Sequence, residues 1–173
     1  MTIKEKKEFR TGFFAEVGET LGAEFTTGDL YDRLFSSALK ASPDCGGVKV
    51  CNFVSDEPLA RAKAGPGVSR APDSALTLPN FMRASLTAIC ATLKIGMDLL
   101  KDREGVSVRE LAGHGGVFKT PGVMERVMGE TLGVPVKSEL QFGCEELKRR
   151  GWKLLAVTGS KGKSSVVKVV ADA

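Results

Sequence analysis

One stretch limits what this chain can fold into more than any other: Gly113-His114-Gly115-Gly116-Val117-Phe118-Lys119-Thr120-Pro121-Gly122. It joins an apolar run to an amphipathic one through a turn that only glycines can make tight. Glycine adopts φ > 0 and lets a ligand come close to bare backbone. Thr120 followed by Pro121 reads as a helix N-cap and first helical residue. The pattern predicts a strand-to-helix corner whose unpaired N–H groups and helix dipole face an anion, with Gly115, Gly116 and Lys119 as the candidate phosphate contacts. A capped glycine turn without a ligand fits the same ten residues, with Lys119 at a solvated helix entrance.

Composition narrows the classes. The 173 residues are 42% hydrophobic and 27% charged, enough for one sizeable core. Twenty-five basic against 21 acidic residues give a net charge of +4, too balanced and dispersed for a nucleic-acid partner. No apolar run approaches the roughly 18 residues of a membrane span, and nothing reads as a signal peptide, so a cytoplasmic protein is expected. The four cysteines, at 45, 51, 90 and 144, form no CxxC pair, and His114 is the only histidine, which argues against zinc and for reduced thiols.

Taken in order, Phe9, Phe13, Phe14, Val17 and Leu21 make an amphipathic helix that Gly22 ends. A second helix is expected from about Asp29 to Lys40, with a Thr26–Asp29 capping box and a buried face of Leu30, Leu34, Phe35, Ala38 and Leu39. Pro43 to Gly47 is a turn, Val48 to Val54 a strand, and Asp56 to Asp73 a long loop or short hairpin. The longest helix should run from about Leu78 to Lys101, capped by Thr77, with Met82, Leu86, Ile89, Leu93, Met97 and Leu100 as its core stripe. Within it, Arg83 reads as half of a surface ion pair and Asp98 as a polar-face residue. A strand within 106–112 then feeds the glycine corner, and a helix follows near 121–132.

Several ordered motifs resemble the C-terminal domain of the FGGY carbohydrate kinases, most like the ribulokinase and xylulokinase branch. The carriers are Leu30-Tyr31-Asp32-Arg33-Leu34-Phe35, Pro43-Asp44-Cys45-Gly46-Gly47, Pro72-Asp73-Ser74, Asn80-Phe81-Met82-Arg83-Ala84, Ala91 to Asp98, and the glycine corner. The resemblance covers residues 28 to 136. It implies a partial actin-like (ribonuclease H-like) ATPase domain of α/β class, rich in helix, with ATP and Mg²⁺ as cofactors and a sugar hydroxyl as acceptor. It also implies that the corner at Gly115-Gly116 approaches the nucleotide. The family's N-terminal half, with its first phosphate motif and catalytic aspartate, is not found in these residues, which makes a separate N-terminal half an expected partner.

Beyond Val136 the pattern changes. Ser138-Glu139-Leu140-Gln141 reads as a capping box opening a helix to Arg150, and Trp152 to Val157 as a buried strand. Thr158-Gly159-Ser160-Lys161-Gly162-Lys163-Ser164-Ser165 then resembles the ATP-binding loop of the Mur ligases. A strand–Gly-x-x-Gly-Lys-Ser–helix unit surrounds phosphates with backbone N–H groups, sets a lysine against their charge and turns a hydroxyl toward Mg²⁺. Gly159, Gly162, Lys163, Ser164 and Ser165 are therefore candidate nucleotide contacts, with Ser164 the candidate Mg²⁺ ligand.

The expected organisation is thus a kinase C-terminal fragment over 1–136 and an appended strand–P-loop–helix unit over 137–173. Strand 152–157 is expected beside strand 106–112. Three functions follow: a fragment of an ATP-dependent carbohydrate kinase, inactive alone; an ATP-binding module of Mur ligase type; or a folded fragment without activity.

Overall fold

The computed structural model describes residues 3–53 and 55–151, with side chains from residue 12 onward. The strand expected at 152–157, its pairing with 106–112, and the loop at 158–165 lie outside the described residues. The chain divides into two units whose boundary falls between Ser138 and Glu139.

In the first unit, helix α1 (Ile3–Thr20) ends where Gly22 turns to φ +69°. Its apolar stripe is split. Phe14 packs on the core while Phe13, Val17 and Leu21 are exposed. Helix α2 (Thr27–Ser37) carries the expected capping box: Thr26 Oγ1 accepts from the Asp29 amide at 3.2 Å, and the Asp29 carboxylate accepts from the Thr26 amide. The helix tightens into a 3₁₀ turn over Ala38–Lys40 rather than continuing to Lys40.

The Pro43–Gly47 turn is closed by the Asp44 carboxylate, which accepts from the Gly46 amide at 3.0 Å. Strand β1 (Val48–Cys51) then pairs antiparallel with β2 (Gly67–Arg70), Val48 facing Arg70, so the hairpin alternative for 56–73 is the one adopted.

Helix α3 (Leu78–Glu104) starts at Thr77, whose hydroxyl accepts from the Asn80 amide, and stops at left-handed Gly105. Its first half is buried on nearly every side, with Met82, Arg83, Ala84, Ser85, Leu86 and Cys90 all enclosed. Asn80 braces this end, its Oδ1 accepting from the Ser42 amide and its Nδ2 donating to the Ala75 carbonyl. Of the predicted stripe, Met82 and Leu86 are buried and Met97 packs against the core, while Ile89, Leu93 and Leu100 are 41–46% exposed. A helix of 27 residues is about 40 Å long at 1.5 Å per residue and outruns the elements packed on it.

Strand β3 (Leu111–Gly113) lies at the end of the 106–112 segment expected to contain it and runs one residue beyond, and it pairs parallel with β4 (Val136–Ser138). Helix α4 (Val123–Leu132) connects them. The core joins Leu30, Leu34 and Ala38 to Met82, Leu86 and Cys90 of α3 and to Val123, Met124, Val127 and Leu132 of α4. Burial pushes the Cys90 thiol up to about 11, so it behaves as a small hydrophobe.

The second unit contains α5 (Glu139–Arg149), which Ser138 immediately precedes as the last residue of β4. Hydrogen bonds from Arg149 and Arg150 hold the Glu146 carboxyl down at about 2. No helix of the described residues is long and apolar enough to cross a membrane.

Candidate functional site

The glycine corner lies between β3 and α4, and its glycines differ in what the structure asks of them. At Gly113 a Cβ would collide with the Phe118 ring. Gly115 has φ +105°, a conformation that L side chains rarely adopt. Gly116 opens a 3₁₀ turn over Gly116–Phe118, and a Cβ there would meet nothing within 4 Å. The turn is held by Phe118 N donating to Gly115 O at 3.1 Å and Lys119 N to Gly116 O at 3.4 Å. Val117 and Phe118 pack against the core. Among the described residues the amides of Gly116 and Val117 have no hydrogen-bond partner.

The helix entrance differs from the sequence expectation. Thr120 is not an N-cap and Pro121 is not a first helical residue: Gly122, at φ +77°, is the cap, and α4 begins at Val123. The reason is the backbone: a left-handed residue such as Gly122 cannot lie inside a right-handed helix, so α4 cannot start at Pro121. Thr120 is 6% exposed and its hydroxyl donates to the Asp32 carboxylate of α2 at 2.7 Å. Gly122 has no side chain to offer, so α4 begins without a side-chain cap.

Helices α3 and α4 are clamped together by charge. Arg83 is buried rather than a surface residue, and it donates to the Glu130 carboxylate. Arg126 donates to the other oxygen of the same carboxylate at 2.9 Å. Together Arg126 and Arg83 hold the Glu130 carboxyl below its ordinary value. Asp98, as expected, lies on the polar face, paired with Lys94.

The structure brings Gly115, Gly116 and Lys119 together on one exposed turn, with His114 exposed next to it. Gly159, Gly162, Lys163, Ser164 and Ser165 lie outside the described residues. Sequence reasoning missed the Asp32–Thr120 pair, since nothing in the spacing of two residues 88 apart connects them. No group of three His, Cys, Asp or Glu able to hold a metal occurs among the described residues. A cavity of about 380 Å³ lies elsewhere, among Phe13, Phe14, Val68, Leu76, Leu78 and Phe81, and its carbon lining offers nothing to a phosphate.

These elements define a helix-rich mixed α/β unit built around a parallel strand pair and a glycine corner. The model of the FGGY family of carbohydrate kinases, C-terminal domain, matches residues 13–139, and the chain belongs to that family. Among solved structures it is similar to the xylulose kinase from Bifidobacterium adolescentis, with a TM-score of 0.51 and 18% identity, a likeness of fold. That match covers 74% of this chain and 24% of the xylulose kinase, so the chain spans about a quarter of its relative. No curated protein matches the chain. The family match stops short of the Gly159–Ser165 pattern, and no comparison supports a Mur ligase relationship there.

Proposed function

We propose that residues 13–139 form the nucleotide-facing part of an ATP-dependent carbohydrate kinase, completed by a separate N-terminal half. The observation that carries this reading is the exposed Gly115-Gly116 turn, which leaves two amides without partners in a chain of this family. Bound ATP with Mg²⁺ would supply the phosphoryl group for a sugar hydroxyl. This chain's residues would hold and orient it. The amides of Gly116 and Val117 donate to phosphate oxygens, bare Gly116 admits close approach, and the Lys119 ammonium adds charge. Such contacts position and neutralise, which is most of what phosphoryl transfer asks of a protein. The base for the sugar hydroxyl belongs, on this reading, to the N-terminal half. The 173-residue chain should therefore give no sustained sugar-dependent ADP release in a coupled assay with ATP, Mg²⁺ and a panel of pentoses and pentuloses. Sustained release would contradict the division of labour.

The pattern at 159–165 favours a second reading, an ATP-binding module of Mur ligase type in which Gly159, Gly162, Lys163, Ser164 and Ser165 surround the phosphates and Ser164 faces Mg²⁺. This loop carries its own lysine and hydroxyls, whereas the corner without its other half leaves phosphates open to water. On this reading Lys163→Ala weakens ATP binding by roughly tenfold to over a hundredfold, the loss of one charged hydrogen bond, while Gly116→Ala changes it little. An unchanged dissociation constant for Lys163→Ala in calorimetry rejects the loop.

A further inference from the structure

We infer that Asp32 is a positioning residue for the glycine corner, acting through Thr120. The inference rests on the nucleotide-facing reading above for its purpose, but not for its test. The bonds that close the corner itself, Phe118 to Gly115 and Lys119 to Gly116, are local and fix its shape alone. What fixes its place is different. The β3–β4 ladder holds its first residue, Gly113, at one end; at the other, Phe118 and Val117 anchor it to the core through contacts that have no direction, and the Thr120–Asp32 bond adds a directional tie to α2, an element 88 residues earlier in the chain. Thr120 sits directly after Lys119 and two residues before left-handed Gly122, so its rotation about the backbone sets where the turn and the start of α4 point. Because Thr120 is 6% exposed, a lost acceptor leaves a buried hydroxyl unsatisfied, and the segment must move to rehydrate it. Asp32 lies on the exposed face of α2, where it contributes nothing to the buried cluster. Its carboxylate is free to serve this bond, and α2 is itself held rigid at its start by the Thr26–Asp29 box. A phosphate site needs its donors held to a fraction of an ångström, and this tie supplies direction where the apolar contacts supply only proximity.

The experiment uses the full chain with Asp32→Ala, Asp32→Asn, Thr120→Val and Thr120→Ser, read by amide hydrogen exchange. The Phe118 and Lys119 amides report on the corner, and those of Leu86 to Cys90 on the core. Asp32→Ala and Thr120→Val should each speed exchange at Phe118 and Lys119 roughly two- to tenfold, the usual worth of one hydrogen bond, with α3 unchanged. Asp32→Asn and Thr120→Ser should stay near the parent, because each keeps the acceptor oxygen or the hydroxyl. Unchanged corner exchange in Asp32→Ala and Thr120→Val, or an equal rise in α3, would overturn the inference. A parallel titration with ATP and Mg²⁺ separates the two readings. If no corner amide of the parent shifts, the nucleotide reading fails while the exchange result still decides the role of Asp32. If they shift, Thr120→Val should need more ATP for the same shift and Thr120→Ser should not.

Discussion

At the residue scale the most consequential side chain is Arg83, a buried guanidinium whose charge is answered by a half-exposed carboxylate, Glu130. Arg126 does more to lower the Glu130 carboxyl, yet the stability resides with Arg83. Arg126 remains in water when its partner is lost, whereas Arg83 is left as an uncompensated buried charge. Glu130→Ala should cost about 1–3 kcal/mol, a range reduced for the solvent that reaches Glu130, and Arg126→Ala at most about 1 kcal/mol. The pH dependence has a fixed sign. A carboxyl lowered from 4.5 in the folded state stabilises above that value, and the contribution is lost as pH falls through the folded value. In thermal unfolding, the advantage of the parent over Glu130→Gln should be full at neutral pH and shrink below about pH 4.5. A constant gap down to pH 3 would remove Glu130 from the account. In sequence Arg83 reads as a surface residue because arginine is seldom buried, and its partner lies 47 residues away with no local signal.

At the scale of elements, α3 decides how much of the first unit is core. Its buried half meets α2, α4 and β1, and its apolar stripe continues into solvent. Leu86, 1% exposed, should cost about 2–5 kcal/mol as Leu86→Ala in urea unfolding, and Leu93, 41% exposed, less than half as much. Equal costs would mean the second half of α3 is covered. Helices were legible because capping and period are local: Thr26, Thr77 and Gly22 mark real ends, although α3 runs on past the expected Lys101 to Glu104. The strands were less so. Val106 to Glu110 look as strand-like as Leu111 to Gly113, but only the latter have a partner in Val136 to Ser138, and pairing is a non-local fact. Likewise Thr120 has the composition of a cap, but the left-handed turn at Gly122 starts the helix later, and Thr120 is tied to Asp32 by tertiary structure instead. Within the candidate site, the glycines were legible because φ +105° at Gly115 is a demand that one residue type meets.

For the whole molecule, the family, the fold and the corner support one division of labour. Residues 13–139 are a C-terminal domain of the FGGY family, the chain spans about a quarter of a structurally similar xylulose kinase, and the proposed phosphate contacts occupy one exposed turn. A site assembled from two halves leaves in each half a surface that is preformed and only weakly occupied. The corner should therefore respond to nucleotide without turning it over. The direct test is a titration of the Lys163→Ala chain with ATP and Mg²⁺, followed by nitrogen-edited NMR, so that the loop at 159–165 cannot carry the binding. Gly46 and Gly47, in the other glycine turn of this unit, serve as internal controls. The account predicts progressive shifts of the Gly115, Gly116 and Val117 amides at millimolar ATP with Gly46 and Gly47 unmoved. Corner amides that stay fixed while the controls or other residues shift would contradict it.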